Sequence, residues 1–193
     1  NGSVLVMDGV DVQINELTIT NGNGTDVGNW NVGGGMYALN SNLVISNCNI
    51  TDNHISRSLS DGGGIHLEGE GTVIIKNSLI TNNSTTGAGG GINCANSDTQ
   101  IINCVIYENT AYGAGGIWPH DWELDNYGLD IKNSIIMNNQ PVNMNIGENI
   151  EVKYSNFQGG WQGEGTGNID TDPLFADPDN GDYNLTWGSP CID

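Results

Sequence analysis

The sequence predicts an all-β fold, a parallel β-helix in which the chain winds into a solenoid of about six coils with a C-terminal cap. Three observations predict it. A short apolar motif recurs six times, a glycine triplet recurs ahead of it, and 29 glycines with 29 asparagines among 193 residues leave little room for helix interiors.

The motif is plainest in four copies: Ile45-Ser46-Asn47-Cys48-Asn49-Ile50, Ile75-Lys76-Asn77-Ser78-Leu79-Ile80, Ile101-Ile102-Asn103-Cys104-Val105-Ile106 and Ile131-Lys132-Asn133-Ser134-Ile135-Ile136. Weaker copies run from Ile14 to Ile19 and from Val152 to Phe157. Laid over one another, the copies give ladders of like residues. Ile14, Ile45, Ile75, Ile101, Ile131 and Val152 form the first; Leu17, Cys48, Ser78, Cys104, Ser134 and Ser155 the second; Ile19, Ile50, Ile80, Ile106, Ile136 and Phe157 the third. Such repetition belongs to solenoids, where each coil contacts only its neighbours. Within a copy the apolar positions fall at i, i+3 and i+5, which is strand alternation broken by one extra residue. That residue marks a corner. Asn47, Asn77, Asn103 and Asn133 are expected to stack there with their amides bonded rung to rung, because an unpaired buried amide costs roughly 1–3 kcal/mol.

Each coil opens on glycine: Gly33-Gly34-Gly35-Met36, Gly62-Gly63-Gly64-Ile65, Gly89-Gly90-Gly91-Ile92 and Ala114-Gly115-Gly116-Ile117. Glycine permits the tight bend before a strand, and Met36, Ile65, Ile92 and Ile117 add a fourth inward ladder. Successive first-ladder residues are separated by 31, 30, 26, 30 and 21 positions, as in coils whose loops vary at one corner. Leucine-rich repeats are excluded, since their consensus leucines are missing. Each buried isoleucine contributes roughly 1.5–3 kcal/mol, so the ladders can hold the coils together without disulfides.

The four cysteines, Cys48, Cys94, Cys104 and Cys191, have no C-x-x-C spacing that would point to zinc or redox chemistry, and the simplest reading makes them small buried hydrophobes. Cys48 and Cys104 fall two rungs apart, about 9.6 Å at ordinary strand spacing, beyond the roughly 7 Å a disulfide tolerates. The motif is lost after Phe157. We therefore divide the chain into β-helix coils over 1–157 and an irregular C-terminal cap of the same domain over 158–193. At the other end Val4, Leu5, Val6, Val10 and Val12 read as strands with no amphipathic helix ahead of them, so the first rung is expected to be edge-exposed or covered by chain upstream.

Acidic residues outnumber basic ones 23 to 4, a net charge of −19. Nucleic acid and anionic lipid are disfavoured, because binding them relies on clustered lysine and arginine, and Arg57, Lys76, Lys132 and Lys153 form no cluster. No apolar run approaches the roughly 20 residues of a membrane-spanning helix. Glycans, proteins and cations are the partners such a surface admits, together with self-association through open coil ends.

The units Gly-Gly-Gly-Ile … Asn-Cys/Ser-x-Ile-x-x-Asn resemble those of the right-handed parallel β-helix proteins of the pectate-lyase-like superfamily, polymorphic outer-membrane protein repeats among them. The tail Asp172-Pro173-Leu174-Phe175, Asn180-Gly181-Asp182-Tyr183-Asn184-Leu185 and Gly188-Ser189-Pro190-Cys191-Ile192-Asp193 is similar to the C-terminal end of secreted bacterial β-helix proteins. The resemblance implies a right-handed β-helix with an extracellular or cell-surface address in a bacterium. It implies no single activity, because the superfamily spans lyases, hydrolases, epimerases and adhesins. The familiar catalytic patterns are missing. Arg57 lacks the proline and aspartate companions of a lyase base, and the polygalacturonase pattern of Asn-Thr-Asp, paired aspartates, His-Gly and Arg-x-Lys is absent.

Alternation along the strand after each glycine turn sends Tyr37, His66, Asn93 and Trp118 outward, one per rung, with Leu39, Glu68, Ala95 and His120 two positions on. A flat strip of aromatic faces and hydrogen-bonding groups suits a sugar chain, and Trp122 in the insertion Pro119–Tyr127 adds a further aromatic. Ligand-binding candidates are thus Tyr37, His66, Asn93, Trp118 and Trp122. The catalytic candidates are His66, Glu68, His120 and Asp121, with Asp61 in the preceding loop, as titratable groups capable of general acid–base work. Asp177, Asp179 and Asp182 surround a glycine turn in the tail and are the candidate calcium ligands; the other reading is a turn in which aspartates accept backbone N–H bonds. The expected function is a secreted or surface module for binding, adhesion or structural display with carbohydrate as its ligand. The alternatives are a polysaccharide-active lyase, epimerase or glycoside hydrolase, and a self-assembling surface or filament element.

Overall fold

In the computed structural model, which describes residues 2–120, 127–147 and 149–192, the chain is a parallel β-solenoid with three sheets for walls. The first sheet stacks Leu5–Asp8, Met36–Leu39, Ile65–Glu68, Ile92–Ala95 and Ile117–His120. The second stacks Asp11–Asn15, Asn42–Ser46, Thr72–Lys76, Asp98–Ile102, Leu129–Lys132 and Ile150–Lys153. The third stacks Thr18–Ile19, Asn49–Thr51, Leu79–Thr81, Val105–Tyr107, Ile135–Met137 and Asn156–Phe157. The solenoid makes about four turns where six coils were expected, with six strands in each of the second and third sheets and five in the first.

The corners explain the asparagines. Asn40, Gly69 and Asn96 lie between the first and second sheets, Asn47, Asn77, Asn103 and Asn133 between the second and third, and Asp52, Asn82, Glu108 and Asn138 after the third, all with φ between 47° and 78°. Left-handed backbone costs most side chains roughly 1–2 kcal/mol and asparagine less, since its short amide bonds locally. One such corner per sheet per coil is a large demand for that residue.

Between corners the ladders stack in register. Ile14, Ile45, Ile75, Ile101, Ile131 and Val152 are successive Cα partners, as are Ile19, Ile50, Ile80, Ile106, Ile136 and Phe157. Met36, Ile65, Ile92 and Ile117 form the fourth ladder, and all four are fully buried. Leu17 departs from expectation: Cys48, Ser78, Cys104, Ser134 and Ser155 are buried, but Leu17 is 46% exposed, although Ile14 and Ile19 on the same first rung are buried.

The asparagine ladder also differs from expectation. The corner residues Asn47, Asn77, Asn103 and Asn133 are exposed and bond only in part, Asn103 Nδ2 to Asn77 Oδ1 at 3.2 Å and Asn47 Nδ2 to Asn15 Oδ1 at 2.8 Å. The continuous ladder lies at the next corner, in Asn53, Asn83, Asn109 and Asn139, buried where the chain leaves the third sheet. Each Nδ2 donates to the following Oδ1, at 2.9 Å, 3.0 Å and 2.9 Å, and Asn139 passes the chain to Asn143 at 2.9 Å. Each Nδ2 also donates to a carbonyl of the coil before, those of Ile19, Ile50, Ile80 and Ile106, and each Oδ1 accepts a backbone N–H as well. Backbone at this corner has left the sheet, so the amides satisfy groups that would otherwise be buried unpaired.

The glycine triplet packs beside these amides. Only its first member needs positive φ, as at Gly62 with 68°; the third needs absence of a side chain, since a Cβ on Gly64 would stand 2.6 Å from the Gly91 carbonyl oxygen and 3.1 Å from the Asn83 amide.

After Phe157 the chain adds a partial rung and then turns back. Val152, Tyr154 and Phe157 donate backbone N–H bonds to Glu164, Thr166 and Ile169. The antiparallel hairpin Phe175–Asp177 and Asp182–Leu185 then lies along the outside of the third sheet, so the tail does more than close the last rung. Tyr107, Ile135 and Met137 project outward from that sheet and form a second small core with Tyr183 and Phe175, whose rings meet Tyr107 edge-on at 5.5 and 5.6 Å.

All four cysteines are free thiols. Burial pushes the Cys94 thiol up to about 12 and the Cys104 thiol up to about 11, and Cys48 is equally enclosed, whereas Cys191 is half-exposed at the tail. A disulfide-exchange reagent at pH 8 is expected to titrate Cys191 alone in the native protein and four thiols after denaturation, counted by released chromophore. Asn109→Ala is expected to destabilise by more than about 3 kcal/mol in urea unfolding, since roughly 1–3 kcal/mol attaches to each buried group left unpaired, while Asn103→Gly at the exposed corner costs less than about 1 kcal/mol.

Candidate functional site

The site forms on the outer face of the first sheet. Tyr37, His66, Asn93 and Trp118 are successive partners across four strands and all point away from the solenoid core. They do not make the flat open strip expected of them. Tyr37 is 6%, His66 5% and Asn93 3% exposed. A wall covers them: the hairpin Thr25–Val27 and Trp30–Val32, against which Ser60–Asp61 pairs in parallel. The hairpin is held from outside by Asp26, which accepts hydrogen bonds from Asn31 Nδ2 at 2.8 Å and from the Arg57 guanidinium. The only arginine therefore braces the wall and does not face the sheet.

Between wall and sheet lies a cavity of about 160 Å³. Val27, Trp30 and Val32 line it from the hairpin, Asp61 from the neighbouring strand, and His66, Glu68, Asn93, Ala95, Trp118 and His120 from the sheet floor. It is smaller than the roughly 300–1,000 Å³ of a drug-sized pocket, which fits a single ring or a small charged group. Among the described residues no lysine or arginine lines it.

Two floor atoms are buried without a hydrogen-bond partner, His66 Nδ1 and Asn93 Oδ1. Such groups cost roughly 1–3 kcal/mol each. The other ring nitrogen of His66, Nε2, faces Glu68 Oε2 at 3.6 Å, and the Tyr37 hydroxyl donates to the same Glu68 oxygen at 3.0 Å. Tyr37 thus does not line the cavity; it braces the His66–Glu68 pair from one rung away, with its ring 5.7 Å from the imidazole. The Trp118 and His120 rings stack at 6.4 Å, with an interplanar angle of 22°.

The two carboxyl groups are perturbed in opposite directions. The neighbouring His66 imidazole, aided by the Tyr37 hydroxyl, holds Glu68 below the usual carboxylate range against its partial burial. Burial pushes Asp61 up, outweighing the Ala88 N–H that donates to its Oδ1 at 2.7 Å and the nearby imidazoles of His66 and His120.

Of the sequence candidates, His66, Glu68, Asn93, Trp118 and His120 converge on the cavity; Asp121 and Trp122 fall outside the described residues. His66 and His120 stand two strands apart, with Ala95 between Glu68 and His120. Asp177 and Asp182 are partners across the tail hairpin, with Asp179 in the turn between them. Asp177 accepts from Asn180 Nδ2 and Asp182 from the Asn184 backbone and side chain, so these carboxylates serve as turn acceptors. Among the described residues, no three His, Cys, Asp or Glu side chains are grouped to hold a metal ion. The wall is what sequence reasoning missed. Its signal was present in Val27-Gly28-Asn29-Trp30, a Gly-Asn pair between strand-forming residues, which is a two-residue hairpin turn with Gly28 at φ 59°.

These opposite shifts give stability opposite dependences on pH. Glu68, lowered from its ordinary 4.5, adds stability that is present above that value and lost as pH falls through the folded one; Asp61, raised from 3.8, subtracts stability as pH rises through its folded value. In urea midpoints measured from pH 3 to 8, Glu68→Gln is expected to flatten the acid limb, and Asp61→Asn to gain stability at neutral pH with the gain vanishing below about 3.8.

The comparisons with known proteins speak to the fold. No curated protein and no solved structure gives a significant match to the chain. The family model of the right-handed β-helix region matches residues 1–172, most of the sequence and every rung of the three sheets. With that match, the three stacked sheets and the in-register ladders, the chain belongs to the right-handed β-helix family.

Proposed function

We propose that this protein is a carbohydrate-binding β-helix module of the secreted or surface-displayed bacterial type, and that it takes one sugar ring into the roofed cavity of the first sheet. The observation that carries the reading is the pair of buried, unpartnered polar atoms, His66 Nδ1 and Asn93 Oδ1, in a cavity flanked by Trp30 and Trp118. Indole faces pack on the C–H surface of a pyranose while fixed polar atoms take its hydroxyls, which sets orientation as well as affinity. The size of the cavity favours a terminal or side-branch residue over a chain lying along the solenoid.

A second reading, a polysaccharide-active enzyme, has its own observation. Asp61 and Glu68 line one cavity, with Asp61 raised by burial and Glu68 lowered by the His66 imidazole, and paired carboxyl groups are what glycosidases use. In that reading Asp61 and Glu68 divide the general-acid and general-base work between them.

On a glycan array followed by titration calorimetry, Trp118→Ala and Asn93→Ala are each expected to weaken binding of the best ligand at least tenfold with thermal unfolding little changed. Equal affinities in wild type and both variants would remove the cavity from the reading. Release of reducing ends or unsaturated products by wild type, abolished in Asp61→Asn, would select the enzyme over the module.

A further inference from the structure

We infer that the cavity selects a cationic sugar, an amino sugar bearing a free ammonium group, over its neutral counterparts. The inference deepens the carbohydrate reading and rests on it. Apart from its two histidines, the titratable side chains that line the cavity are both carboxyl groups, set among the indoles of Trp30 and Trp118 and the Asn93 amide. Asp61 and Glu68 contribute carboxyl groups from adjacent sides, and Asn93 Oδ1 offers an unfilled acceptor. The His66 imidazole faces Glu68 Oε2 through Nε2 at 3.6 Å and leaves Nδ1 without a partner. A hydroxyl is both donor and acceptor and would fill these positions only in part. An ammonium group carries three donors and no acceptor, the complement of these carboxyl groups.

Charge and aromatic surface point the same way. Among the described residues no lysine or arginine lines the cavity, and the Arg57 guanidinium is engaged with Asp26 on the far side of the hairpin. Trp30 and Trp118 both border the space, and indole is the ring whose face attracts a cation most strongly, an attraction that grows as water is excluded. Asp61 is the group with most to gain. It is partly buried, has no lysine or arginine beside it among the described residues, and faces His66 and His120 across the cavity. An ammonium group brought against it supplies the counter-charge that its burial lacks. The net charge of −19 draws cations towards the surface in general, and this cavity adds two indole faces to its two carboxyl groups.

The test is titration calorimetry at pH 7 in 0.15 M salt with four probes: D-glucosamine, D-glucose, N-acetyl-D-glucosamine and cyclohexylamine. Monovalent probes avoid the unspecific attraction of a polycation to an acidic protein. The expected result is glucosamine binding at least tenfold tighter than glucose and N-acetylglucosamine, with that preference falling to less than threefold in Asp61→Asn and in Glu68→Gln, and overall affinity reduced in Trp118→Ala. Trp118→Phe, which keeps an aromatic face, retains the preference and guards against loss of fold. Neutral sugars binding as well as glucosamine would overturn the inference while leaving the carbohydrate reading in place. Cyclohexylamine binding as tightly as glucosamine would uphold the choice of a cation and overturn the carbohydrate reading. A preference for glucosamine that survives Asp61→Asn, Glu68→Gln and Trp118→Ala would overturn the placement in this cavity, and binding by none of the four probes would overturn both readings.

Discussion

The amide column of Asn53, Asn83, Asn109 and Asn139 is the constraint on which the rest of the structure depends. Strands satisfy their own backbone by pairing with the coil above and below, but the chain must leave the third sheet and reach the first, and there its polar groups are buried outside any ladder. One amide per coil meets that need, donating to its successor and to a carbonyl of the preceding coil. The third glycine of each triplet lies against the amide, so the two motifs are one device: side-chain amides occupy the space that the glycines leave empty. Removing either one either opens a void beside buried donors or forces neighbouring coils apart.

Because this device pins the chain on both sides of one corner, the residues between asparagine and glycine are free to vary. Eight residues separate Asn53 from Gly62 and five separate Asn83 from Gly89. The hairpin over Thr25–Val32 is such an excursion, and it lands beside the first sheet because that sheet follows the glycine turn directly. The solenoid thereby acquires a roofed cavity without any change to its core. The floor is rigid, made of strands whose inward neighbours are fully buried isoleucines, while the roof is an appended ribbon.

Much of this was legible in the residues. The isoleucine ladders, the glycine turns and the outward row of Tyr37, His66, Asn93 and Trp118 follow from period-two alternation combined with a repeat near 30 residues, and the strand register agrees with them residue by residue. Choosing among the asparagines was harder. Asn47 and Asn53 each recur once per coil, and both follow an apolar strand, yet one caps an exposed corner and the other is fully buried. Nothing local separates them, since burial at that corner comes from the glycine loop that folds over it. Leu17 shows the same limit, for its place in the ladder is right, yet it is exposed while Ile14 and Ile19 on its rung are buried.

The sequence by itself determined the rung: which residues face inward, where the chain bends, and which coil lies on which. Those are local, repeated properties, and repetition makes each copy evidence for the others. Tertiary structure alone decided that the outward row is a covered floor, that Trp30 comes to face it, and that the tail hairpin lies along the third sheet. Each of these is a meeting between segments that occur once, where no repeat can announce the partner, and what selects it is the fit of one apolar surface against another.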